Sequence, residues 1–377
     1  MIYLDNAATT PVPRAVADAM YDVLTGQFGN PSSQYALGRE AGRLVDGWRR
    51  TIAAAAGCDP GQLHFTSCGT EGDNWALSAA LWQNRRAGRH IVTTAVEHSA
   101  VLEPCKWLAQ QGCEITYVEP DKNGDLTAAQ ILDAVRPDTA LVSVMMVNNE
   151  TGCIFPVREI ARELKKKNPQ TLFHTDAVQG FLKVPFQAKT LGADFVTFSA
   201  HKIGGPKGIG ALFTGDRVKN IKPLLAGGGQ ENGTRSGTEA TAQIAGFAKA
   251  VALRREHLDE GLSHMAAIKN YATERFSEIP DLVPVGDGTA PHILSVALRG
   301  FPSQNIVNDL SDQGICISAG SACHRGRPSH VVAALHLPRE VAGSVIRISF
   351  SPETTREDID ACAGALRRHR DTRCPRL

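Results

Sequence analysis

Apolar positions recur along the chain with two different periods. Over residues 14–24 and 36–56 they return every three or four positions, the spacing of helices that bury one face. Between residues 62 and 213 short apolar runs alternate with further helical stretches. The runs at 62–66, 91–96, 115–118, 141–147, 171–175, 193–198 and 210–213 read as strands. Helices are expected through Trp75, Leu77, Ala80 and Leu81, from about Ser99, over 128–135 and over 157–167. This alternation predicts an α/β fold with a largely parallel sheet and helices on both faces. After about residue 250 the pattern changes. A helical stretch over 240–278, a strand at 293–298, a helix over 305–313 and a strand at 347–350 predict a smaller α+β domain, with residues 1–13 packed on it. The expected division is a large domain over 14–250 and a small domain from 1–13 and 251–377.

Composition narrows the class. A chain of 377 residues exceeds one ordinary core. Lys plus Arg number 40 against 39 Asp plus Glu, so no global field invites nucleic acid or an anionic membrane. No apolar run reaches the roughly 20 residues that span a bilayer, and Met1-Ile2-Tyr3-Leu4-Asp5 lacks the basic-then-apolar layout of a signal peptide. A cytoplasmic enzyme is the expectation. Nine cysteines at irregular spacing, with no Cys-x-x-Cys pair, argue against a disulfide framework and a zinc site; no metal site is expected, and most of the thiols should be buried apolar spacers. The basic end, from Arg367 to Arg376, reads as a solvated tail.

In a parallel α/β sheet ligands lie beyond the carboxyl ends of strands. Here those ends carry Glu97-His98, Asn148-Asn149-Glu150, Asp176 with Gln179, and Ser199-Ala200-His201-Lys202. Any one of them alone reads as a satisfied structural residue; four in succession are hard to explain as packing. The turn Ser67-Cys68-Gly69-Thr70-Glu71-Gly72 before a helix offers backbone N–H groups to a phosphate, or is simply a capped helix. Neither a Walker loop nor a dinucleotide glycine motif follows a strand, which disfavours nucleotides. Lys202, at the mouth of an apolar strand, is either a surface lysine or an amine nucleophile toward a carbonyl cofactor.

Pyridoxal 5'-phosphate would use this whole set. Asp176 against the pyridine nitrogen would keep it protonated. His98 could stack on the ring and move protons near neutral pH. Gln179 and Asn149 offer donors to a ring oxygen, Gly69, Thr70, Ser199 and His201 suit a phosphate, and Lys202 suits the aldehyde.

The chain resembles the pyridoxal-phosphate-dependent cysteine desulfurases of fold type I, the NifS/IscS-like family within the class V aminotransferase group. The matching stretches run in family order along nearly the whole chain: Tyr3 to Thr10, Gly29 to Ser33, Phe65 to Glu71, Val96-Glu97-His98, Asn148 to Gly152, His174 to Gln179, Thr197 to Gly208, Gly227 to Glu231, Arg235 to Thr238 and Gly320 to Cys323. The resemblance implies a mainly parallel seven-stranded sheet in the large domain. It implies Lys202 as the cofactor-bearing lysine, His98 as ring-stacking proton carrier, Asp176 on the pyridine nitrogen and Gln179 on the ring oxygen. Gly69, Thr70, Ser199 and His201 would hold the phosphate, and Thr238 would reach the phosphate of a neighbouring subunit in a homodimer with shared active sites. Asn149 would touch cofactor and substrate, and Arg347 would clamp the substrate carboxylate, a task for a planar two-pronged donor.

A second reactive centre is expected at Cys323. It sits in a glycine-rich stretch with His324, Arg325 and Arg327, which favour thiolate. The family reaction converts L-cysteine to L-alanine and leaves the sulfur on Cys323 as a persulfide, for an acceptor such as an iron–sulfur cluster scaffold protein. Only four residues separate Cys323 from Pro328, fewer than in IscS-like members, and Ala322-Cys323-His324 is similar to the selenocysteine lyases. Selenocysteine lyase or another cysteine β-lyase, an aminotransferase, and a catalytically idle dimeric scaffold stay open as alternatives.

Overall fold

Burial follows the apolar runs. The computed structural model describes residues 1–319 and 329–375. After strand β1 (Ile2–Tyr3) come helices α1 (Arg14–Thr25) and α2 (Ala36–Ala56). The chain then alternates through β2 (Leu63–Thr66), α3 (Gly69–Gln83), β3 (His90–Thr94), α4 (Ser99–Gln110), β4 (Glu114–Val118), α5 (Ala128–Asp133) and β5 (Thr139–Ser143). It continues with α6 (Val157–Lys167), β6 (Leu172–Asp176), α7 (Ala188–Leu191), β7 (Phe195–Ser199) and β8 (Gly210–Thr214). The seven strands β2 to β8 form one sheet in the order β2-β8-β7-β6-β5-β3-β4. Only β8 runs against its neighbours, β7 and β2; the remaining pairs are parallel.

The central strands β5, β6 and β7 are buried at every position, as expected for a sheet covered on both faces. Helix α6 shows how the cover is made. Val157, Ile160, Ala161 and Leu164 return at helical spacing and are buried, while Lys165, Lys166 and Lys167 sit in its last turn, where cations suit the negative end of the helix dipole.

The second part of the chain contains α8 (Thr241–Glu256), α9 (Leu258–Ser277), β9 (Leu282–Pro284), β10 (Ile293–Leu298), α10 (Ser303–Asp312) and the short strands β11 (Ile315–Cys316) and β12 (Ser318–Ala319). It ends with α11 (His330–Ala334), α12 (Arg339–Ala342), β13 (Val345–Ser349) and α13 (Arg356–Thr372). Strands in the order β12-β13-β10-β9 make an antiparallel sheet, and β1 pairs in parallel with β11. A separate apolar cluster fills this part, with Ile268, Phe276, Val296, Ile346, Ile348 and Ile359 buried beside Leu4 from the N-terminal segment.

Several expectations change. The helical stretch over 240–278 is two helices broken at His257, whose backbone (φ −124, ψ 32) leaves the helical region. The cause is a change of packing partner: α8 lies on α1 and α2, whereas α9 lies on α13. The run at 141–147 is a strand only to Ser143. Beyond it single bonds continue along β6, from Val144 N to His174 O and from Met146 N to Asp176 O. The basic end is not a loose tail up to Arg373. Most of it is the last turns of α13, where His369 is buried against Asp309 at 2.8 Å and Arg373 grips the same carboxylate at 2.8 and 3.0 Å. Of the eight described cysteines, all free, four are buried, three are half-buried and Cys374 is exposed. Among the described residues no helix is long and apolar enough to cross a membrane.

Candidate active site

Strand β7 ends at Ser199, and Ala200–Lys202 form a single tight helical turn. That turn directs Lys202 back over the N-terminal segment, where Nζ donates to the carbonyls of Ala7 and Ala8 at 2.6 and 2.7 Å. The segment is held to the same turn. Thr10 donates from its backbone N–H and from Oγ1 to His201 O, both at 2.9 Å, and the Gly204 N–H donates to Thr10 Oγ1 at 2.7 Å. His201 Nδ1 lies 3.2 Å from Thr9 Oγ1. Burial, and then the positive charge of Arg347, push the Lys202 amine down to about 8, so a useful fraction is neutral near physiological pH. Gln179 Nε2 donates to the same Ala7 carbonyl at 2.8 Å.

The neighbouring strand supplies a carboxylate. Asp176 closes β6, paired in parallel with β7, and accepts from the Val178 N–H at 2.8 Å. Burial, with Asp73 nearby, raises it to about 7, against the pull of His98. His98 is the N-cap of α4: its Nδ1 accepts from the Ala100 N–H at 3.1 Å, which places the ring proton of the neutral form on Nε2. Burial lowers its pKa, while Asp176 raises it and Lys202 opposes. The preceding Glu97 is buried and accepts from Thr94 Oγ1 and the Met145 N–H, both at 2.9 Å; burial holds it well above the usual carboxylate range. It therefore ties the loop of His98 to the segment beyond β5.

Arg347 lies on β13 opposite Ser318. Its Nη1 donates to Asn149 O at 2.8 Å, and Nη2 donates to Asp5 Oδ1 at 2.8 Å and to Ser318 Oγ at 3.1 Å. Its Nε is buried with no partner among the described residues. Asn149 therefore meets Arg347 through its backbone.

The start of α3 has the features of an anion cradle. Its N-cap, Cys68, makes no side-chain cap bond, and a Cβ on Gly69 would come within 2.8 Å of Val178 Cγ2, so only glycine lets the turn pack against the loop after Asp176. Ser199 Oγ is buried with no partner among the described residues. Thr70 is exposed at the same turn. Glu71 grips Arg235 at 2.9 and 3.0 Å and accepts from the Ser67 N–H at 2.8 Å; although burial opposes it, this bonding holds Glu71 below its ordinary pKa. Arg49 and Glu231 make a second two-pronged pair, at 2.8 and 2.6 Å. The two pairs anchor the stretch that carries Thr238, itself exposed.

Cys323 lies outside the described residues. Its described flanks are fixed at this site: Ser318 on Arg347, Ser329 Oγ donating to Glu150 Oε2 at 2.5 Å, and His330 Nε2 donating to Glu97 O at 2.7 Å.

The family model described as Aminotransferase class-V matches residues 2–362. The chain belongs to this family. Among curated relatives, this class-V chain is 39% identical over 363 residues to the cysteine desulfurase IscS of Methanosarcina thermophila, covering 95% of this chain and 89% of that one. Among solved structures it is similar to a NifS-like protein, with a TM-score of 0.92 and 35% identity over 98% of this chain and 99% of that one. It is also similar to a structure titled SspA in complex with cysteine, with a TM-score of 0.82 and 31% identity over 94% and 100% of the two chains.

The residues of this class-V chain fit pyridoxal phosphate. A buried carboxylate with one bonded N–H, a lowered lysine amine, an orphaned buried hydroxyl at Ser199 and an uncapped helix start are what its pyridine nitrogen, aldehyde and phosphate require. Reading the sequence missed three participants: Asp5, His330 and the Glu71–Arg235 pair. Asp5 carried a signal, as the only charged side chain before Arg14. His330 carried none, because its partner is a backbone carbonyl 233 residues away.

Proposed function

We propose that this protein is a pyridoxal-phosphate-dependent cysteine desulfurase that converts L-cysteine to L-alanine and places the sulfur on Cys323. The observation that carries this reading is the pairing of β6 with β7, which sets the buried Asp176 beside the strand whose following turn carries the lowered amine of Lys202. The curated relative named a cysteine desulfurase supports the reaction class.

In this reading Lys202 holds the cofactor aldehyde, Asp176 the pyridine nitrogen and Gln179 the ring oxygen, with His98 stacked on the ring. Gly69, Thr70, Ser199 and His201 hold the phosphate. Bound there, the cofactor supplies an electron sink for charge at the substrate Cα. Lys202 and His98 would move protons between the substrate Cα and neighbouring atoms. Asn149 and Arg347 orient the substrate, Arg347 through its unspent Nε–H and by yielding Asp5 to the incoming carboxylate. The Cys323 thiolate attacks the substrate Sγ; the S–S bond forms as the Cβ–Sγ bond breaks, and the remaining three-carbon fragment is protonated to L-alanine. The persulfide then passes to an acceptor, for which an iron–sulfur cluster scaffold is the fitting class.

The enzyme is a cytoplasmic homodimer in this proposal, with Thr238 of each subunit completing the other's phosphate site; the exposure of Thr238 on an anchored stretch supports that role. A large domain over 14–250 and a small domain of 1–13 with 251–377 are supported by the apolar cluster that joins Leu4 to Ile348 and Ile359. Incubation with L-cysteine tests the function. L-alanine and sulfide should appear in equal amounts in the presence of a thiol reductant, and release of pyruvate and ammonia instead would make it a β-lyase.

A further inference from the structure

Lys183 has no part in the chemistry above, yet it is buried, at 3% exposure. A buried amine is costly, and among the described residues this one has no carboxylate partner. The charged groups that act on it are Lys202, Arg254 and Arg347, all cations, and together with burial they push it well below an ordinary lysine. Its Nζ donates to Gln179 Oε1 at 3.2 Å. On the other side of that amide, Nε2 donates to Ala7 O at 2.8 Å, and Ala7 O also accepts from Lys202 at 2.6 Å.

The two bonds fix which way the Gln179 amide faces. The Ala7 carbonyl can only accept, so the atom turned to it is Nε2; that leaves Oε1 facing the Lys183 amine, which can donate to it whether charged or neutral. One Nε2 hydrogen is spent on Ala7, and the second is left to donate. An apolar residue at 183 would leave Oε1 buried without a donor, a state that favours rotation of the amide away from this arrangement.

We propose that Lys183 is a positioning residue that locks Gln179 so that it offers a hydrogen-bond donor, not an acceptor, to the ring oxygen of the cofactor. This rests on the assignment of pyridoxal phosphate to the site. Because the lock acts through Gln179, its loss changes the electronic environment of the ring as well as its affinity.

The test compares Lys183→Met, Lys183→Leu and Lys183→Gln with the wild type, each loaded with pyridoxal phosphate and checked for folding by circular dichroism. In the folded apolar variants the visible absorbance maximum should move and the cofactor Kd should rise about tenfold. Lys183→Gln, which can still donate to Oε1, should keep the wild-type maximum. In a Gln179→Ala background Lys183→Met should move the maximum no further. A folded apolar variant with the wild-type maximum and Kd overturns the proposal. So does Lys183→Gln displaced as far as Lys183→Met, a comparison that serves if Leu replaces a Met variant that fails to fold. A wild-type chain that takes up no pyridoxal phosphate overturns the cofactor assignment itself, before any variant is compared.

Discussion

Asp5 and Arg347 form an ion pair at 2.8 Å between elements 342 residues apart, with side chains only 19% and 11% exposed. The pair exists because Asp5 bridges to Ser349, two residues along β13 from Arg347, so both side chains reach the same space. It holds Arg347 in an oriented state; in the proposed function Asp5 gives way there to the substrate carboxylate. Asp5→Ala should therefore lower stability by about 1.5–3 kcal/mol, the worth of a hydrogen bond to a charged group. Arg347→Lys should raise the KM for L-cysteine far more than it lowers the melting temperature, because a lysine cannot make the two-pronged grip. Thermal melts and steady-state kinetics of the two variants check this.

His98 caps α4, and in the proposed function it also moves protons; the two roles separate by substitution. Asn at an N-cap accepts the same backbone N–H, so His98→Asn should melt close to the wild type, whereas His98→Ala should lose about 1 kcal/mol from the missing cap. Both should lose on the order of 10²–10⁴ in kcat, the usual contribution of a positioned acid–base group. A His98→Asn enzyme with near-normal turnover would remove His98 from proton transfer.

The lowered amine of Lys202 gives the cofactor-free protein a pH signature. With a folded pKa of about 8 against 10.5 unfolded, the unfolded chain binds more protons between those values, so this group makes stability rise as pH climbs from about 8 to 10.5. Below pH 8 its protonation is a penalty, worth about 3 kcal/mol. Lys202→Met should therefore be more stable than the wild-type apoprotein at pH 7, and the advantage should vanish above pH 10.5. Denaturant titrations at pH 7, 9 and 11 read this directly.

The Glu71–Arg235 pair joins the start of α3 to the stretch bearing Thr238. If that stretch completes the partner subunit's phosphate site, Arg235→Ala should weaken pyridoxal phosphate binding by about tenfold and promote monomers at dilution. Analytical ultracentrifugation together with cofactor titration measures both. An unchanged Kd would confine the pair to a local structural role.

Much of this arrangement was legible in the sequence because it is local. The alternation of apolar runs with helical spacing marked the succession of the central sheet's strands and helices along the chain, and the polar residues at strand ends pointed to Asp176, His98 and Lys202, which the structure sets at or just beyond strand ends of that sheet. What escaped was long-range or short. Strands β1, β11 and β12 have two residues each, too few for a period to register. Asp5 acquires its meaning only when it meets Arg347. Helix α13 was there to be read: Thr355 with Asp358 forms a capping box, and Ile359, Cys362, Ala363 and Leu366 follow at helical spacing. Its basic residues masked it as a tail.

The central claim concerns Cys323, whose described flanks Ser318 and Ser329 are held by Arg347 and Glu150. The most direct measurement is mass spectrometry of the Cys323 peptide after the pyridoxal-phosphate-loaded protein has been incubated with L-cysteine, without reductant. One added sulfur atom on Cys323, absent in Cys323→Ala and removed by dithiothreitol, is the predicted result. L-alanine formation with Cys323 unmodified, or undiminished sulfide release by Cys323→Ala, would contradict it.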